Sequence, residues 1–170
     1  RDLINNPDKI GKWDFYNIGA TTVKALKECG IIYNIDYGNV NNKKIDAIIV
    51  QKKNVIAIIE NKIPSKFKTQ KQINKAIDQE IAVAKKLGSK IFIATDTKDT
   101  VWVNALTGKR IKDENGKEIK TVFDPKAELM AELIEKINYS INEKNNILKP
   151  KNLVNPTDLA KQIWQDVWMV

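Results

Sequence analysis

Two apolar runs, Ala47–Val50 and Val55–Ile59, are separated by the short polar break QKKN at positions 51–54. No other feature constrains the chain as much. Neither run alternates apolar with polar residues, and continuous apolar segments of this length mark strands covered on both faces. So short a break joins them as a tight antiparallel hairpin. A sheet covered on both sides needs helices, and amphipathic ones follow. Gln70–Leu87 carries Ile73, Ala76, Ile77, Ile81 and Ala84 on one face and ends at Gly88. Ala127–Ile141 does the same with Leu129, Leu133, Ile134 and Ile137.

The rest of the chain fills in around this centre. Phe15–Cys29 is expected as a first helix stopped by Gly30, then a short strand at Ile31–Asp36 and a turn at Tyr37-Gly38-Asn39. Lys90–Thr95 and Val101–Ala105 read as further strands. Lys109–Phe123 reads as a polar hairpin around Asn115-Gly116, a favoured turn pair. The order α-β-β-β-α-β predicts an α/β domain, a mixed central sheet flanked by helices. We expect that domain to span residues 1–141, followed by an Asn/Lys-rich linker over 142–156. A C-terminal helical segment, 157–170, is opened by Asn155-Pro156-Thr157-Asp158. Trp13 and Trp102 are expected in or beside the core. Trp164 and Trp168 fall on the last helix's apolar stripe and are expected to dock on a missing region. The chain starts at Arg1 and ends inside that helix, so it is expected to be a piece of a longer protein.

Composition narrows the chemistry. Histidine is absent and Cys29 is the single cysteine. This removes Ser-His and Cys-His nucleophile pairs, His- or thiolate-bound zinc, and any internal disulfide, so a cytoplasmic location is expected. No apolar run is long enough to span a membrane. Carboxylates, lysines, amides and hydroxyls remain, and they suit a hard cation such as Mg2+, with Mn2+ as a substitute. Lys plus Arg outnumber Asp plus Glu by 29 to 21, a net charge of +8 that weakly favours a polyanionic partner.

The hairpin ends carry the candidate site. If Lys52-Lys53-Asn54 form a three-residue loop, Gln51 faces Val55 and Asp46 falls directly opposite Glu60, with Cβ atoms about 5 Å apart. Lys62 shares that face. Two opposed, partly buried carboxylates repel unless one is protonated or a cation compensates. Asp46, Glu60 and the Asn61 carbonyl then supply the protein's ligands to Mg2+. Lys62 acts beside them on the attacking water or on charge developing at a phosphate. The plain alternative is two buried strands with solvated ends, and Glu118-Ile119-Lys120 and Asp96-Thr97-Lys98 show how cheaply the acid-x-Lys spacing arises. Lys66, Lys68 and Lys71 after the site, and Lys43 and Lys44 before it, are placed to meet phosphates or to form an ordinary solvated surface.

Asp46, a buried hairpin and then Glu60-Asn61-Lys62 resemble the signature of the PD-(D/E)xK nuclease superfamily. The similarity is strongest to the N-terminal nuclease domains of restriction–modification proteins. It extends over about Phe15–Ala105, including Gln79 in AIDQEIAVAKKLGSKIFIATDT. The resemblance implies a restriction-endonuclease-like core and a Mg2+-dependent endonuclease acting on DNA. It also implies docking to the rest of a parent protein, or to other restriction–modification subunits, through the C-terminal helix. Asp46, Glu60, Lys62 and Gln79 would be the catalytic residues. The chain departs from the family in two places. Its first helix holds no central acid, leaving Asp14 as a weak candidate ligand, and Val83 replaces the aromatic that usually follows the Gln. Gln79 then either reaches the reacting water or a base, or is a solvated flank. A catalytically inactive module of the same fold, binding DNA or partner subunits, and an RNA- or junction-directed nuclease are the competing readings.

Overall fold

The two apolar runs pair with each other at the centre of a computed structural model that describes residues 6–150. Seven strands lie side by side in chain order: β1 (Asp8–Ile10), β2 (Trp13–Thr22), β3 (Lys44–Gln51), β4 (Asn54–Asn61), β5 (Ile91–Thr95), β6 (Thr100–Asn104) and β7 (Lys109–Arg110). Every neighbouring pair is antiparallel except β4 and β5, which run parallel. A parallel pair needs a crossover, and helix α2 (Gln70–Lys86) supplies it. The chain is thus α/β with a mixed sheet, as its pattern of elements predicted.

Each face of the sheet has its own core, which is why β3, β4 and β5 carry no polar alternation. On one face Ile48, Val50, Ile58 and Phe92 pack with Ile73, Ile77 and Ala84 of α2 and with Val23 and Leu26 of the short helix α1 (Val23–Glu28). On the other, Ile49, Ile59, Ile93 and Trp102 pack with Met130, Ile134 and Ile137 of helix α3 (Met130–Ser140). Each fully buried Ile or Leu contributes about 1.5–3 kcal/mol. Trp13 and Trp102 are both core residues. Their indole N–H groups are satisfied by Gln51 Oε1 at 3.3 Å and the Thr121 carbonyl at 2.8 Å.

The first expected element is corrected. The first half of the presumed helix Phe15–Cys29 is strand β2, and only Val23–Glu28 is helical. Thr22 caps this short helix, its hydroxyl accepting the Ala25 N–H at 3.1 Å. Ile31–Asp36 forms no strand; Ile31 and Ile32 are buried while Tyr33 and Ile35 are exposed. In the expected hairpin Lys109–Phe123, Lys109–Arg110 joins the sheet edge and a single bridge links Lys112 to Glu118. Residues 142–148, the start of the stretch read as a linker, pack on the same edge. Leu148 is buried, and its N–H donates to the Lys112 carbonyl at 2.8 Å. The expected C-terminal helix lies outside the described residues.

The hairpin loop also differs from expectation. Gln51 pairs with Asn54, so the loop is the two residues Lys52 and Lys53, at φ 49° and 71° as a type I′ turn requires. Val50 then pairs with Val55, but Ile49 pairs with Ala57. Ile56 is the extra residue of a β-bulge, and Ile56 and Ala57 both join the α3-side core. The bulge returns the residue the loop gave up. Beyond it the register runs Ile48 with Ile58 and Ala47 with Ile59. One further step sets Asp46 against Glu60.

Candidate active site

Asp46 and Glu60 face α2, because along β3 and β4 they alternate with Ile48, Val50 and Ile58 of the α2-side core. They lie where the chain leaves the sheet. The Asn61 N–H donates to Asp46 Oδ2 at 2.8 Å, closing the hairpin mouth across the two strands. The Lys62 N–H donates to the Thr95 carbonyl at 2.8 Å, which anchors the end of β4 against β5. Both groups therefore sit at the carboxyl ends of the parallel pair β4–β5, the usual location of ligand sites in such sheets.

Glu60 is the perturbed group. Its side chain is 16% exposed, and its pKa is pushed up from 4.5 to about 7. Burial is the main cause, followed by the negative charges of Asp46 and of Glu80 on α2. The Lys62 ammonium, 3.6 Å from Glu60 Oε1, opposes this shift without overcoming it. Like charge is thus concentrated here beyond what the protein's own lysine neutralises.

Glu80 escaped the sequence reading, though a signal was present. It stands three residues after Ile77, four after Ala76 and four before Ala84, inside the apolar stripe of α2. A carboxylate there is aimed at the sheet. Gln79, one residue earlier, is exposed and lines a cleft of about 380 Å³ together with Lys62, Lys66, Gln72, Lys75 and Ala76. Gln72 is committed elsewhere. Its Oε1 accepts the Lys68 and Thr69 N–H groups at 2.9 and 3.1 Å, while Thr69 Oγ1 accepts the Gln72 N–H at 3.1 Å, a capping box that starts α2.

The other candidates are placed as follows. Lys71 lies on the outer face of α2 beside Lys75. Lys68 is exposed in the turn before α2, and Lys43 and Lys44 are exposed at the start of β3. Asp14 is not brought to the site. It pairs with Val50, four residues along β3 from Asp46 and so about 13 Å away, and it is bound to Lys9. The two look-alike spacings have structural duties. Asp96 Oδ1 accepts the Lys98 and Asp99 N–H groups at 3.0 and 2.7 Å, and Glu118 pairs with Arg110 at 3.2 Å. Among the described residues no group of three or more Asp, Glu, His or Cys side chains is gathered to hold an ion. No protein-family model, curated protein or solved structure matches the chain.

Proposed function

We propose that this chain is a Mg2+-dependent nuclease domain that hydrolyses DNA phosphodiester bonds as part of a restriction–modification system. The observation that carries this reading is Asp46, Glu60 and Lys62 on one sheet face, with Glu60 pushed to about 7 among unneutralised carboxylates. The strand meander β2–β3–β4, the crossover helix α2 and the parallel strand β5 also follow the element order of PD-(D/E)xK nucleases after their first helix.

Mg2+ fits this donor set. It takes oxygen ligands, keeps several waters and is often held by one or two carboxylates plus substrate phosphate, so a third acid is not required. Asp46 and Glu60, with the Asn61 carbonyl, would hold it. When bound, such an ion polarises a phosphate oxygen and lowers the pKa of water. The chain's own groups do the rest. Lys62 stands beside Glu60 and offsets the charge that grows on the phosphate as water attacks phosphorus and the P–O bond to the leaving strand breaks. Gln79 and Lys66 share the Lys62 cleft, where they orient the nucleic acid.

Cleavage of supercoiled plasmid in Mg2+, Mn2+ and EDTA tests this reading. Lys62→Ala is expected to lower cleavage at least 100-fold while leaving DNA affinity within about threefold. Unchanged nicking by that variant sinks the assignment. Absence of metal-dependent cleavage by the parent protein, with binding intact, assigns it instead to the non-catalytic class.

A further inference from the structure

Helix α2 has a lysine-lined cleft on each side. Lys62, Lys66 and Lys75 line the one at the candidate active site. On the opposite flank a groove of about 800 Å³ opens between Gln70, Asn74 and Asp78 of α2 and a wall bearing Lys109, Lys112 and Lys144. The solvent face of α2 between them is polar, with Lys71, Asn74, Lys75, Asp78 and Gln79.

The second wall is hydrogen-bonded to the helix. Arg110 spans the groove floor, its Nη2 donating to Gln70 Oε1 at 3.0 Å and Asn74 Oδ1 at 2.9 Å. Its Nη1 pairs with Glu118, so this guanidinium is neutralised. Lys109, Lys112 and Lys144 are left to set the potential there against Asp78. Lys144 sits in a loop fixed from below by the fully buried Asn104. Asn104 Nδ2 donates to the Asn142 and Asn145 carbonyls and to Asn146 Oδ1 at 2.9, 3.1 and 2.8 Å.

We infer that α2 lies along the major groove of duplex DNA, with one phosphate row on Lys62, Lys66 and Lys75 and the other on Lys109, Lys112 and Lys144. The first row and the DNA rest on the nuclease reading; the second row and the placement of α2 are new. A helix with its side chains is about 10–12 Å across, and the major groove of B-form DNA is about 12 Å wide. Two cationic rows separated by one helix diameter therefore match the two groove walls. A single strand offers one phosphate row, and the major groove of A-form RNA is too narrow to admit side chains.

The test measures binding in EDTA to a short DNA duplex, to its single strand and to the RNA duplex of the same sequence. The parent protein is compared with Lys109→Gln/Lys112→Gln/Lys144→Gln and with the corresponding triple Glu variant. These positions are exposed, and circular dichroism checks each fold. The Gln variant should bind duplex DNA about tenfold or more weakly near 0.1 M salt, with the slope of log affinity against log salt smaller by about 2.7. Its single-strand affinity should change less than about twofold, and duplex RNA should bind the parent no better than single strands do. Unchanged duplex affinity and slope, or an equal loss on single strands, overturns the inference. Plasmid cleavage reports on the nuclease reading separately. A parent that cleaves while the triple variants bind normally removes only the second row. A parent that never cleaves but needs the three lysines for duplex binding keeps the row and removes the nuclease.

Discussion

Glu60 faces α2 because alternation along β4 leaves it no other side, and there it meets the charges of Asp46 and Glu80 with one lysine to offset them. The sign of the stability effect follows from the raised pKa. The folded chain binds this proton more tightly than the unfolded chain, whose glutamates titrate near 4.5. Glu60 is therefore harmless to stability below pH 4.5, and its cost grows as pH rises through about 7. Above that the cost levels off at roughly 3 kcal/mol. Glu60→Gln should accordingly stabilise the protein in EDTA by about 2–3 kcal/mol at pH 8 and by almost nothing at pH 4.5, while abolishing cleavage. Urea unfolding at the two pH values checks this. Equal stabilisation at both would mean that packing, and not charge, separates the variants. Glu80→Gln should lower the midpoint of the Glu60 titration, read from the side-chain carboxyl resonance by NMR.

At the level of elements, what could be read in advance was what local sequence encodes. The 3.6-residue stripe of helix α2 and its terminal Gly88 were legible without a structure; the Thr69 cap and the φ of 77° at Gly88 are what the structure adds. Strand β2 was missed because its buried Trp13 and Phe15 begin a period-two pattern that breaks at the irregular pairing between Asn17 and Thr21. Val23 and Leu26 then supply a helical spacing immediately after it. The hairpin gave the right pairing of Asp46 with Glu60 from the wrong loop, since a bulge inside an all-apolar run leaves no mark in the pattern. That bulge makes a separable prediction. Deleting Ile56 leaves Ala57 opposite Ile49 and Glu60 opposite Asp46, so cleavage should persist within about tenfold despite lost burial. An alanine inserted between Ile58 and Ile59 puts Ile59 opposite Asp46 and moves Glu60 one step beyond. Cleavage should then fall to the Lys62→Ala level. Cleavage retained by the insertion variant, folded by circular dichroism, would show that the carboxylates do not depend on this register.

Across the whole molecule, the far edge of the sheet is completed by chain that composition alone marks as spacer. Asn and Lys richness around Pro150 signals a loop, but it does not reveal that Asn104, buried in β6, needs that loop's carbonyls as acceptors. Nor does it reveal that Leu148 closes the α3-side core. These dependencies join residues about 40 positions apart, which no local pattern encodes. A chain ending at Ile141 removes all three acceptors of the Asn104 amide and uncovers the core at the Leu148 site. It should lose on the order of 3–5 kcal/mol relative to a chain ending at Pro150. Urea midpoints of the two chains measure the difference, and equal midpoints would show the 142–148 segment to be dispensable. The same truncation removes Lys144 and loosens the wall carrying Lys109 and Lys112. Duplex binding, measured where both chains remain folded, should therefore drop with stability, while Asp46, Glu60 and Lys62, at the opposite flank of α2, keep their register.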